Sequence, residues 1–266
     1  MILMKKTLLI IILAIFSLAS FAQNGGPLKF LGIPIDGPSA QFETKLKAKG
    51  FRYNSYTESY KGQFNGKSVD VFVHTNHDIV DRVYVAFPFT TEQEIRNEFN
   101  RLLKQFNDTG KYLDLSFNEE IPADEDISYE ISVKNKRYQA TFTYIDGDRD
   151  PAPFIDGMVD LLSDYLTEED RAELKADIKK LVDLPKEEQE AYQAEMMAKM
   201  QQMGTNVDAD AEADPEKALR FVFSFFEGMK SMADGDVWFM IHESYGRYQI
   251  GLYYDNLHNQ AHGEDL

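Results

Sequence analysis

The pattern of residue types predicts an α+β protein: two helix-plus-antiparallel-sheet units in a duplicated order of one helix then four strands, with an all-helical insert in the second. Three observations carry this expectation. Apolar residues recur at every second position in two separate blocks, and each block follows a segment with apolar residues at helical spacing. Between about Asp150 and Ala233 the period turns helical throughout. Beyond it, alternation returns in "VWFMIHE" and "RYQIGLYYDN".

The start of the chain reads as an address. Lys5 and Lys6 precede a run from Thr7 to Phe21 that is almost wholly apolar, and Ser20-Phe21-Ala22 offers a small-x-small cleavage pattern before Gln23. Residues 1–22 are therefore expected to be a signal peptide, and the mature chain an exported one, periplasmic or secreted. The apolar run is short for a membrane span of ~20 residues, and the Ala22-Gln23 junction favours a cleaved signal over the alternative, a signal anchor. The chain contains no cysteine, so disulfides, thiolate nucleophiles and cysteine-bound metals are excluded.

The first unit, 23–90, begins with a Gly37-Pro38 turn, after which Ser39 is expected to cap a short helix presenting Phe42 and Leu46 and ending at Gly50. Strands follow at Phe51 to Tyr53, at Gly62 to Phe64, at Val69 to Val73, and at Val83 to Phe87, with a hairpin turn at Asn65-Gly66. The second unit, 91–149 with 235–266, opens on Thr91 and Glu94, which form a capping box. Ile95, Phe99, Leu102 and Phe106 then make one helical stripe. Strands are expected at Tyr112 to Leu115 and in a hairpin folded at Asn135-Lys136 within "SYEISVKNKRYQATFTYI".

The insert, 150–234, reads as four helices. The first carries Ile155, Met158, Val159, Leu162 and Tyr165; the second follows a Thr167 cap and buries Leu174, Ile178 and Leu181. The third shows Tyr192, Met196, Met200 and Met203 before Gly204, and the fourth, from Glu216 to Met232, is apolar nearly all round and expected to be buried by its neighbours.

The opening "PLKFLGIPIDG", the "KGF" after the first helix, the "F-NGK-VDV" hairpin and the closing "YYDNLHNQAHGEDL" resemble a group of secreted Bacteroidetes proteins of unknown function. That resemblance covers roughly Pro27 to Ile145 and Asp236 to Leu266 and implies a compartment rather than a chemistry. The element order is also similar to beta-lactamase-inhibitor-protein-like modules and, more loosely, to small outer-membrane-assembly lipoproteins, which implies a binding role by analogy of fold.

The formal charge is −17, and the stretch from Asp146 to Asp236 holds 24 Asp+Glu against 10 Lys+Arg. Such a chain is repelled by DNA, RNA and anionic lipid, so nucleic-acid partners are disfavoured. Asp208, Asp210, Glu212 and Asp214 imitate calcium-loop spacing, but Ala213 and Leu219 stand where the loop needs its Gly and its bidentate Glu. An acidic linker with Asp214 capping a helix accounts for them. His258 and His262 are four apart in a polar tail, where a shared metal competes with simple fraying.

No Gly-x-Ser-x-Gly turn, HExxH or phosphate-cradling loop occurs, so no catalytic residue, metal ligand or cofactor is nominated. The leading expectation is a non-catalytic binding protein for a protein or glycan ligand, with no transmembrane segment after signal removal. The candidate contacts are Tyr84, Tyr245 and Tyr253 on the sheet and the Met196, Met200, Met203 stripe, which either packs on the fourth helix or adapts to a partner. An exported hydrolase using a carboxylate pair is the competing reading.

Overall fold

The computed structural model describes residues 26–146, 152–160, 167–185 and 233–259, with scattered positions between 188 and 230. The signal segment, the acidic run from Asp208 to Asp214, Met196, Met200, Met203 and His262 lie outside the described residues. The architecture is α+β, and the chain divides into two compact units: Gly26–Asp146 with Ala233–Leu266, and Gly147–Met232.

The first of these units is built on one seven-stranded sheet. A small ribbon, β1 (Lys29–Phe30) and β2 (Ile33–Pro34), precedes helix α1 (Ser39–Ala48). Strands β3 (Arg52–Asn54), β4 (Ser59–Phe64), β5 (Lys67–Asn76) and β6 (Ile79–Ala86) follow in the expected order. Helix α2 (Glu92–Asp108), a short helix α3 (Ile127–Ser132), strand β7 (Gln139–Tyr144) and, past the insert, β8 (Gly235–Ser244) and β9 (Arg247–Asn256) complete it. The sheet runs β3-β4-β5-β6-β9-β8-β7, every neighbouring pair antiparallel. The last strands of the two halves, β6 and β9, therefore pair at its middle.

Tight turns set the registers. Asn65-Gly66, His77-Asp78 and Tyr245-Gly246 all have positive φ at both residues, the geometry that matches the twist of a two-residue hairpin. The expected Asn65-Gly66 turn is among them.

One face of the sheet carries the core. Val69, Val71, Val83, Val85, Val237, Phe239, Ile241, Ile250, Leu252 and Tyr254 point into it, each at every second position of its strand. α1 covers this face with Phe42 and Leu46; α2 covers it with Ile95, Phe99, Leu102, Leu103 and Phe106, and Phe99 meets Phe239 edge-on at 5.0 Å. The capping box forms as read: Glu94 N–H donates to the Thr91 hydroxyl at 3.4 Å and the Glu94 carboxylate accepts from Thr91 N–H.

Three local expectations are corrected. Ser39 does not cap α1: its hydroxyl donates to Asp78 at 2.7 Å, tying the helix start to the β5–β6 turn. Tyr112 to Leu115 is no strand, because Leu113 makes a single bridge to Thr143 and Asp114 then turns the chain aside by accepting from Ser116 N–H and Asn118 N–H. Ser128 to Ser132 is helix rather than the first arm of a hairpin. Asp126 caps it from Tyr129 N–H at 2.8 Å, and the apparent strand alternation exposes Tyr129 and Val133 instead of burying them. The second half thus repeats the first only in part, with three strands and one bridge after its helix.

In the insert unit, α4 (Ala152–Asp160) and α5 (Glu168–Asp183) carry the expected apolar positions Ile155, Val159, Leu174, Ile178 and Leu181, all buried. Thr167 accepts from Asp170 N–H at 3.1 Å, and Lys175 bridges Asp160 at 2.9 Å and Asp156 at 3.3 Å. The Tyr192 hydroxyl reaches Asp177 at 2.9 Å. Most of the expected fourth helix, Glu216 to Met232, lies outside the described residues; Phe223, which is described, is 65% exposed rather than buried by neighbours.

Candidate functional site: the outer face of the sheet

A strand that buries every second residue turns the others to the opposite face. On β5, β6, β9 and β8 those alternate positions include Phe72, Tyr84, Tyr253 and Trp238, and they are direct cross-strand partners: Phe72 opposite Tyr84, Tyr84 opposite Tyr253, Tyr253 opposite Trp238. The rings form one continuous stack. Centroid separations are 5.4, 4.6 and 3.8 Å and interplanar angles 21°, 15° and 8°, tightening toward Trp238. Each offset-stacked pair adds about 0.5–1.5 kcal/mol beyond simple burial.

A polar network flanks the row. Arg82 donates from Nε to Asp255 Oδ1 at 2.5 Å and from its terminal nitrogen to Oδ2 at 3.0 Å, while the Trp238 indole N–H donates to the same Oδ2 at 2.8 Å. The Asp255 side chain is only 7% exposed, so both its oxygens need these partners. The hydrogen bond to Asp255 holds the Arg82 guanidinium in its charged form, raising its pKa further. The guanidinium also lies 5.9 Å from the Tyr253 ring centroid.

On the other side of the row, Gly251 leaves room that two side chains fill. A Cβ there would stand 2.8 Å from His242 Nε2 and 3.0 Å from Tyr84 Cε2. His242 Nε2 also lies 3.3 Å from the Tyr253 hydroxyl. Burial lowers the pKa of His242, which keeps the ring neutral near neutral pH. Burial pushes the Tyr84 phenol up to about 12, with Tyr253 adding to it, and raises Tyr253 as well. These phenols are hydrogen-bonding groups rather than acids at physiological pH.

Tyr84 and Tyr253, two of the sequence-derived candidates, are thus adjacent members of one row. Tyr245 is apart from them, fully exposed at the tip of the β8–β9 hairpin. Sequence reasoning missed Phe72, Trp238 and the Arg82–Asp255 pair. Their signal was present: each sits between inward residues that the strand pattern identifies, Trp238 between Val237 and Phe239, Phe72 between Val71 and Val73.

His258 does not stand in a free tail; its Nε2 lies 2.7 Å from Asp234, and Asn259 donates to Asp36. Among the described residues no group of three or more His, Cys, Asp or Glu is placed to hold a metal ion, and no helix is long and apolar enough to cross a membrane. No protein-family model matches the chain, and neither a curated protein nor a solved structure matches it.

Proposed function

We propose that the chain is an exported, non-catalytic interaction protein that recognises a protein or glycan through the outer face of its sheet. The observation that supports this most is the in-register row Phe72, Tyr84, Tyr253 and Trp238 across four neighbouring strands, on the face turned away from the core. Tyr and Trp are the residues that carry recognition most often, since they bring large contact area at little entropic cost and keep a polar tip for hydrogen bonding. Arg82, Asp255 and His242 give the row a polar margin fixed by its own hydrogen bonds, so little ordering is left for a ligand to impose.

The export expectation rests on the charged start, apolar run and Ala22-Gln23 junction of the sequence. The test is capture from an envelope extract and from immobilised glycans by the chain from Gln23 onward, beside Tyr84→Ala and Tyr253→Ala variants. A ligand held by the parent and lost by both variants is the expected result. Capture unaffected by either variant would overturn the assignment to this face.

A further inference from the structure

We propose that a groove beside β7, separate from the aromatic row, takes an extended peptide segment of another protein, which adds to the open stretch of the β7 edge at Gln139. β7 is the last strand of the sheet. Its inward-bonded residues alternate with outward ones: Tyr138 C=O accepts from Ile241 N–H on the β8 side, which turns the main-chain groups of Gln139, Thr141 and Thr143 outward.

Two of these outward sites are already closed. Thr143 exchanges both main-chain bonds with Leu113, at 2.8 and 2.9 Å. At Thr141 the Asn118 side-chain amide does what a strand would do, accepting from Thr141 N–H at 2.9 Å and donating to its C=O at 2.8 Å. Gln139 is next along the edge, and among the described residues no main-chain bond reaches it from that side.

The edge opens there onto a groove of about 420 Å³, within the ~300–1,000 Å³ range of ligand sites. Its far wall is the loop bearing Phe117, Ile121 and Pro122. The wall is fixed: Asn100 on α2 pairs through its amide with both main-chain groups of Ile121, at 2.8 and 2.9 Å, and Asp114 and Asn118 hold the loop's start. Phe117 is 70% exposed and is held at φ 52°, a backbone region that non-glycine residues rarely occupy and that clusters at binding sites. Arg137 also lines the groove and, among the described residues, makes no ion pair, which leaves it a ready partner for a carboxylate on the ligand.

An amide already docks on Thr141 in the way a peptide would dock on Gln139, and the groove supplies an aromatic wall for its side chains. That combination is strand addition to a sheet edge, in which main-chain bonds hold the ligand and flanking pockets select it. A peptide is the chemistry that uses both halves of this arrangement. The groove shares no residue with the aromatic row, so either site can fail without the other.

The probe is a library of fluorescent octapeptides with free carboxyl termini, tested against the chain from Gln23 onward. The strongest binder should weaken about tenfold or more when one of its own peptide bonds is N-methylated, since that removes a main-chain donor or blocks the approach. Phe117→Ala and Gln139→Pro should each do the same. N-methylation leaves the protein untouched and Phe117 is already exposed, so a folding defect in Gln139→Pro does not disable the test. Absence of any binder at about 1 mM, or a binder indifferent to all three changes, would overturn the proposal.

Discussion

Arg82→Ala tests whether the polar margin of the aromatic row is energetically coupled to it. The pair it breaks is half in and half out of solvent: the Asp255 side chain is 7% exposed and that of Arg82 41%. A fully exposed pair contributes ~0–1 kcal/mol, whereas breaking a buried one costs ~3–5 kcal/mol because a charge is left stranded. The Asp255 carboxylate keeps the Trp238 indole N–H and gains some water through the space Arg82 leaves, so about 2 kcal/mol is expected. With a urea dependence of about 2 kcal/mol/M, the unfolding midpoint should fall by about 1 M.

The assay has a built-in reporter, since the chain contains one tryptophan and it is Trp238, bonded to Asp255 and stacked on Tyr253. Its fluorescence follows this face of the sheet rather than the helical unit. Asp255→Asn added to Arg82→Ala should recover part of the loss by removing the stranded charge. A midpoint shift for Arg82→Ala below about 0.2 M, or a double variant less stable than the sum of the singles, would refute the reasoning.

Three further outcomes are expected. Gly251→Ala should destabilise the sheet by about 1–3 kcal/mol and change Trp238 fluorescence, because its Cβ would displace His242 and Tyr84; an unchanged unfolding curve would mean the space is not filled as described. His242 has a pKa lowered by burial, so below about pH 6.5 the unfolded chain binds its proton first and stability falls with falling pH. His242→Gln should flatten that part of the profile, read from urea unfolding at about pH 7.5 and about pH 5.5, and an identical slope in the variant would count against it. Asn118→Ala should uncover Thr141 on the β7 edge, costing about 1 kcal/mol and promoting concentration-dependent self-association, which gel filtration would detect.

The parts of the fold legible in the sequence are those where one physical signal acts alone. Helix α2 has both a capping box and a four-residue stripe, and the structure returns both. The Asn65-Gly66 turn needed nothing beyond its two residues. The misread segments are those where side chains compete with the ladder. Around residue 113 a strand-like run is cut to one bridge by the Asp114 carboxylate gathering the next main-chain N–H groups. At 127–132 the same period-2 pattern is overridden by Asp126 capping a helical turn. Short polar side chains that bond their own backbone are what periodicity alone does not weigh.

Site residues follow a similar rule. The sequence offers Tyr84 and Tyr253 as candidate contacts on the sheet, but that they touch depends on β6 pairing with β9, strands separated by about 160 residues of chain that includes the whole insert. Alternation assigns each residue to a face; only the strand order decides which outward residues become neighbours. Trp238 joins the row for the same reason, through the β8–β9 register.

The stacking itself constrains what the row can recognise. In a stack with ring separations of 3.8 to 5.4 Å the inner faces of all four rings are occupied by one another. Among the described residues only the outer faces of Phe72 and Trp238 have no ring stacked on them and remain for a flat apolar ligand, while the middle of the row offers ring edges and the hydroxyls of Tyr84 and Tyr253. A sugar seated by its C–H face would therefore bind at the ends, and Trp238→Ala alone would abolish one such site. A protein surface would instead lie across the edges, where positive ring hydrogens and phenol groups meet carbonyl and carboxylate oxygens. Loss of binding in Tyr84→Phe, which keeps the stack and removes only one hydroxyl, is thus expected for a protein ligand and not for a glycan held at Trp238.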